Sequence, residues 1–519
     1  MSITTHQKWL RRKRRIEKRL SPQKNRRPQK RPMLAAGNIQ YDLADRDRAI
    51  AHGGIGAVHL LARHIGLIDA IDRDLHLLKV HLPYHESDHV LNIAYNIMCD
   101  GHCLQDLELR RNDEAHLDAL GASRIPDPTT AGDFCRRFES DEQVLTLMEA
   151  INGVRQNVWK QPPPEFFAEA ILDADGAIAP TDGQCKRGMD IGYNGQWGYH
   201  PLLISLANTR EPLYLVNRPG NRPSHEHAAE YLDRAIARCR SAGFQSIRLR
   251  GDTDFTQTRH LDRWDDDGVR FIFGIDAMAN LVEHANHLPE KAWEPLSRPA
   301  RYAVKTTPRQ RPANLKEQVV RDREFTHIRL VNEEVAEVSY RPTACQKLYR
   351  LVIVRKNLSV QKGQNVLFDD LRYFFYISND WGGDASQIVF SANDRCDQEN
   401  LIEQLKNGVR ALKLPVDNLR SNWAYMVMAS LAWSLKAWYG LMLPAKKGRW
   451  HARHQKEKQQ IVRMEFRRFV ASLIRLPAQI VRGGRRLLYR LLSYNPWQSS
   501  LLRGVAAWRS RGGVALRQC

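Results

Sequence analysis

Ala170-Ile171-Leu172-Asp173-Ala174-Asp175 and Ile247-Arg248-Leu249-Arg250-Gly251-Asp252 are two short runs that each end on an aspartate. Their length, apolar content and abrupt ends read as β-strands. Side chains alternate along a strand, so Ile171, Asp173 and Asp175 share one face while Leu172 and Ala174 take the other. Two acids on one strand face repel, and they resist burial unless a cation or a donor offsets them. The D-x-D spacing recurs at Asp252 and Asp254. Sites in α/β sheets form beyond the carboxyl ends of strands, which suits both places. Aspartates after strands also cap turns, so neither pair decides the matter alone.

Further strand-like runs lie around them, at 200–207, 213–216 and 271–274, with a helix over about 224–243. Three strands, a helix and a strand returning beside the first open an RNase H-like α/β sheet. Pro162-Pro163-Pro164 marks its beginning. The expected organisation is therefore an RNase H-like core over 161–276 and a β-rich insertion over 277–384. Core helices follow over 385–445. Before the core lies a mainly helical region, 34–160, read as DNA-binding; it contains the periodic stretches 58–65 and 90–98. Thr130 is expected to cap the helix that begins near Pro128, with Asp133 three residues on. Basic terminal arms, 1–33 and 446–519, flank the whole.

Charge is unevenly placed. The chain of 519 residues carries a net charge of +21, of which residues 1–32 contribute +12 and residues 446–519 contribute +16. The body between them is thus net acidic, with a cationic segment at each end. Such segments bind polyanions, and phosphate neutralisation makes the affinity fall with salt. Pro22, Pro28 and Pro32 make the first segment read as a flexible arm. No run of 18 apolar residues occurs, so no membrane span is expected, and the charged start lacks a signal peptide's apolar core. The eight cysteines form no C-x-x-C pair, so reduced thiols in a cytoplasmic protein are expected rather than zinc.

The third acid lies on a helical stretch beginning at Arg395. At about 100° per residue, Arg395, Glu399 and Lys406 fall within about 40° of one another and border the apolar face made by Leu401, Ile402, Leu405, Val409 and Leu412. A carboxylate at such a rim, flanked by Arg and Lys, stays ionised and can bind a metal beside a phosphate. Glu403, about 40° further round, is its rival.

These features resemble the DDE transposases of bacterial insertion sequences, the cut-and-paste group with an RNase H-like core and a β-rich insertion. The resemblance covers about 165–490 and rests on Leu172-Asp173-Ala174-Asp175, Asp182-Gly183-Gln184, Tyr199-His200-Pro201-Leu202, Arg218-Pro219-Gly220-Asn221 and Leu249 to Phe255. It continues with the R-x3-E-x6-K signature, matched by Arg395, Glu399 and Lys406, and ends with Leu476 to Arg482 and Arg485-Arg486. It implies Asp175, Asp252 and Glu399 as catalytic and metal-binding residues, with Asp173 as a substitute for Asp175. It also implies Arg395 and Lys406 as DNA contacts, a pair of Mg²⁺ or Mn²⁺ ions, double-stranded DNA as partner and a homo-oligomeric synapse. The signature often has Tyr three residues before the Arg, where this chain has Ala392. Tyr193 and Trp197 are aromatic candidates for stacking on a displaced base. Two other readings use the same residues: a metal-dependent RNase H-like endonuclease, and a non-catalytic DNA-binding protein derived from a transposase.

Overall fold

Helices fill the N-terminal region because their apolar periodicity is closed by good caps. The computed structural model describes residues 3–20, 39–41, 47–81, 83–181, 183, 185–298, 319, 326–362, 365–483 and 486–509. Its helices include α1 (Ile3–Leu20), α2 (Glu86–Met98), α3 (Pro128–Arg136) and α4 (Asp141–Trp159). The expected cap of α3 is displaced. Asp127, not Thr130, is the N-cap; its carboxylate accepts the Thr130 N–H at 2.9 Å and the Thr130 hydroxyl at 3.0 Å. Pro128 then occupies the first turn, where its missing N–H costs nothing. Ser140 and Gln143 form a reciprocal capping box on α4.

The sheet begins with β1 (Glu169–Gly176), β2 (Leu202–Leu206) and β3 (Glu211–Val216). These three are antiparallel neighbours. Helix α5 (Ala228–Ala242) then leads to β4 (Ser246–Gly251), which returns parallel to β1, and β5 (Arg270–Ile275) lies parallel beyond it. Neighbouring strands thus run in the order β3-β2-β1-β4-β5.

The segment read as an insertion is continuous with this sheet. It forms three long strands, β6 (Thr326–Tyr340), β7 (Tyr349–Lys362) and β8 (Asn365–Ser378). β8 pairs antiparallel with β5, from Phe375 opposite Ile275 to Ser378 opposite Ile272. With residues 294–295 at the far edge, one mixed sheet of nine strands results among the described residues. The sequence pattern gave only short runs here because polar stretches such as Asn332-Glu333-Glu334 and Arg355-Lys356-Asn357 interrupt the apolar alternation. Those residues nonetheless stay in register, Glu333 opposite Lys356 and Glu334 opposite Arg355, and pair by charge.

Helices α6 (Ala385–Asn393), α7 (Cys396–Glu403), α8 (Leu419–Met442) and α9 (His451–Arg463) follow. Every residue of α8 from Ser421 to Gly440 is buried, as expected of a helix apolar on all sides. Its indoles tie it to the edge of the sheet: Trp423 donates to the Leu215 carbonyl at 2.5 Å, and Trp438 donates to Glu211 at 2.6 Å. Glu211 is itself fully buried and also accepts from Arg155 at 2.9 Å and Trp159 at 3.2 Å. A carboxylate this deep is tolerable because its oxygens are paired and hydrogen-bonded. Among the described residues, no helix is long and apolar enough to cross a membrane.

The basic C-terminal segment, expected as an arm, is folded over its described residues, 446–483 and 486–509. β9 (Ala478–Gly483) and β10 (Arg486–Leu491) form a hairpin, and β9 also pairs with residues 49–50. Several of its arginines are spent on acids of the helical region: Arg475 pairs with Asp100 at 2.8 Å and Arg482 with Asp118 at 2.7 Å. The proline-rich part of the N-terminal arm, 21–38, and residues 510–519 lie outside the described residues, as do Asp182, Gln184 and Arg485 of the motifs.

Candidate active site

β1 and β4 are parallel neighbours, with Asp173 in register with Arg250. Their carboxyl ends therefore emerge side by side, carrying Asp175 and Asp252 to one edge of the sheet. Asp252 also serves as a turn cap: its Oδ1 accepts the Asp254 N–H at 3.1 Å. Its Oδ2 faces Arg395 at 3.7 Å. Arg395, at the start of α7, donates to Asp175 Oδ2 at 3.0 Å. One guanidinium thus spans both aspartates. Glu399 sits one turn further along α7 and is exposed.

The electrostatics tie these four groups together. Burial pushes the Asp175 pKa up to about 6; Arg395 opposes this, while the charges of Asp252 and Glu399 add to it. Asp252 is also raised, first by burial, with Arg395 opposing and Asp254 and Asp276 adding. Burial pulls on Arg395 in the opposite sense, yet its pKa rises because Asp175, Asp252, Asp173 and Glu399 all surround it. The three acids share one region of excess negative charge, and a single arginine only partly offsets it.

Asp173 and Asp175 do share a strand face, and a separate arginine answers each. Asp173 is 1% exposed and takes both hydrogen bonds of the Arg250 fork, at 2.7 and 2.8 Å. Arg250 also donates to the Ser391 carbonyl at 2.8 Å, stapling α6 to the sheet. Both oxygens of Asp173 are committed to Arg250, whereas Asp175 and Asp252 each keep an oxygen that Arg395 does not take. Glu403 points to the next turn, where its Oε1 accepts from Asn407 at 2.7 Å. Among the two glutamates, Glu399 is the one whose charge acts on Asp175 and Arg395.

The regular helix expected to carry Arg395, Glu399 and Lys406 as one stripe ends at Glu403. Residues 404–408 form a wider turn with i to i+5 bonding, which breaks the 100° phase before Lys406. Arg395 and Glu399 stay together; Lys406 lies on the wide turn, half-buried, and makes no ion pair among the described residues.

Sequence reasoning missed Gln398. It is buried beneath α7, where its Oε1 accepts from Ser205 and its Nε2 reaches the Leu203 carbonyl at 3.4 Å and the Asp173 carbonyl at 3.5 Å. Asp397 beside it pairs with Arg210 at 2.9 Å. These contacts hold the short helix that presents Glu399 against β1 and β2. Also missed was a cavity of about 380 Å³ beside Asp252 and Arg395, which Tyr373 and Tyr376 of β8 help to line and onto which Ala392 opens. The conspicuous motif residues Tyr199, His200 and Arg218 have framing roles. Tyr199 donates to the Arg187 carbonyl at 2.8 Å, and Arg218 donates to the carbonyls of His200, Pro223, Ser224 and Glu226.

The donor set suits a hard divalent cation, since Asp175, Asp252 and Glu399 offer only oxygen. Among the described residues, no three His, Cys, Asp or Glu side chains stand close enough to hold an ion as they are placed.

The family model for transposase DDE domain group 1 matches residues 44–511. A solved structure of the piggyBac transposase synaptic complex with hairpin DNA is similar over 82% of this chain and 82% of that chain, at 10% identity and a TM-score of 0.33. No curated protein matches the chain.

Proposed function

The chain belongs to this transposase family, and from that premise we propose that it binds the terminal inverted repeats of its own element, cleaves there and transfers the 3′ ends to target DNA. The observation that carries the reading is the convergence of Asp175, Asp252 and Glu399 on Arg395 from two parallel strand ends and one helix. The strand order β3-β2-β1-β4-β5 supports an RNase H-like core.

In this reading Asp175, Asp252 and Glu399 are the catalytic triad and hold a pair of Mg²⁺ or Mn²⁺ ions. Such a pair activates an oxygen nucleophile and stabilises the leaving oxygen. Arg395 offsets the charge of both aspartates and, with Lys406, is a contact for backbone phosphates. Asp173, committed to Arg250, keeps β1, β4 and α6 in register. Holding an element end in line with a second duplex favours an assembly of two or more protomers.

The experiment combines the protein, Mg²⁺, a pre-cut element end with a free 3′-hydroxyl and a supercoiled target plasmid. Covalent joining is expected. Efficient cleavage without joining, indifferent to the terminal sequence, supports the nuclease alternative instead. DNA binding with neither activity supports the non-catalytic one.

A further inference from the structure

The two basic ends of the chain meet. Trp9 on α1 packs on Tyr494, just past β10, with ring centroids 5.6 Å apart. Arg12 donates to the Leu491 carbonyl, the last residue of β10, at 2.5 Å. Trp9, Arg12, Lys13 and Ile16 are half-covered and fall within about 100° of one another on one helix face, with half-covered Leu10 beside them. Lys8, Arg11, Arg14, Arg15, Lys18 and Arg19 are exposed on the remainder, where Glu17 is the one acid. On the hairpin, Arg486 and Arg490 alternate outward while Leu487, Tyr489 and Leu491 turn inward. The hairpin is itself anchored: Tyr489 donates to the Ala119 carbonyl at 2.6 Å, and β9 pairs with residues 49–50.

We infer that α1 and the β9–β10 hairpin form one docked surface for double-stranded DNA, separate from the carboxylate site, rather than two independent cationic tails. This deepens the transposase reading and rests on it. Charge complementarity selects a polyanion. Duplex DNA is favoured over single strands because single-strand sites need exposed aromatic platforms, and here Trp9 and Tyr494 are spent on each other. Docking also explains how α1 stays helical. Like charges at Arg11 and Arg15, Arg14 and Lys18, and Arg15 and Arg19 oppose an isolated helix at i,i+4 spacing. Helix stability in proteins comes mostly from tertiary packing of one face, so the Trp9 face supplies what these repulsions remove.

The test is a substitution that removes no charge. Affinity of the full-length protein for an element-end duplex is measured against salt for wild type, Trp9→Ala, Trp9→Phe, Tyr494→Ala and a variant with Arg11, Arg14, Arg15 and Lys18 changed to Gln. Each phosphate contact contributes roughly 0.9 to the slope of log K against log salt, so the Gln variant should lose up to about 4 from it. One surface predicts that Trp9→Ala and Tyr494→Ala each reproduce at least half of that loss of slope although every cation is retained, and that Trp9→Phe behaves as wild type. Unchanged slopes in both alanine variants overturn the inference, since independent tails need no docking. Tighter binding of wild type to an RNA duplex of equal length, or to anionic vesicles, overturns the choice of occupant. Wild type that shows no salt-dependent affinity for DNA at all defeats the transposase reading itself, which is a different failure.

Discussion

Arg395 donates to Asp175 at 3.0 Å from the start of the same helix that carries Glu399. The cation and the third acid of the site therefore move as a unit, and whatever seats that helix sets both. The pairing also shows the cost of placing a carboxylate in this buried position. Asp175 is only 13% exposed, and its pKa of about 6 lies above the ordinary 3.8 even with Arg395 in contact.

That shift has a sign. An acid whose folded pKa is raised binds more protons in the folded state between pH 4 and 6, so stability falls as pH rises through this window. Above pH 6 the whole penalty applies, at most roughly 3 kcal/mol for about two pKa units. Asp175→Asn should therefore be more stable than wild type at pH 8, with the gain shrinking to nothing near pH 4. Urea unfolding at the two pH values checks this. An equal change at both would mean that the Asp175 charge carries no folding penalty.

Divalent ions should relieve the same penalty. Mg²⁺ or Mn²⁺ is expected to raise the melting temperature of wild type and to leave Asp175→Ala, Asp252→Ala and Glu399→Ala nearly unmoved. Each variant should lose cleavage while still binding element ends. Thermal unfolding with and without the ion reads the site without relying on activity. A variant with full ion stabilisation and wild-type cleavage takes its residue out of the triad.

Asp173 should behave differently from Asp175 although the two are neighbours on one strand face. Asp173→Ala leaves the buried Arg250 without its partner, a change that costs about 3–5 kcal/mol. Asp175→Ala leaves Arg395 with Asp252 and a partly open surface, so its fold should hold. Parallel denaturation of the two variants separates a fold-holding carboxylate from a ligand. Equal stability losses would contradict the distinction drawn from Arg250.

The strands at 169–176 and 246–251 were legible because an apolar run closed by aspartate is a local pattern. The convergence of Asp175 and Asp252 then follows from their being parallel neighbours. Local pattern could not show which arginine serves which acid: Arg250 reaches Asp173 across β1 and β4, and Arg395 reaches Asp175 across 220 residues of chain. Nor could it show that the insertion joins the core sheet, since the pairing of β8 with β5 depends on backbone groups that every residue has. The wide turn at 404–408 escaped because helical periodicity assumes a constant phase. Trp9 and Tyr494, nearly the whole chain apart, read only as two charged ends.

Gln398 should prove to be a positioning residue. It never faces the carboxylates, yet it sits between Asp397 and Glu399 and is buried against β1 and β2. Helix α7 spans only Cys396–Glu403, too short to hold its direction without tertiary anchors. Gln398→Leu keeps the bulk but strands the Ser205 hydroxyl, at a cost of about 1–3 kcal/mol. It also frees α7 to shift, and misplacement by about 1 Å is enough to slow a reaction roughly 100-fold. Cleavage should therefore drop by about that factor while affinity for element ends changes little, because most of the proposed cationic contacts lie outside α7. Adding Ser205→Ala removes the stranded partner, so the double variant should recover much of the stability. It should not recover the rate, since the polar anchor is still missing. If the double variant regains stability and rate together, Gln398 acts only through the fold. If Gln398→Leu cleaves like wild type, the helix that carries Arg395 and Glu399 is held by something other than this anchor.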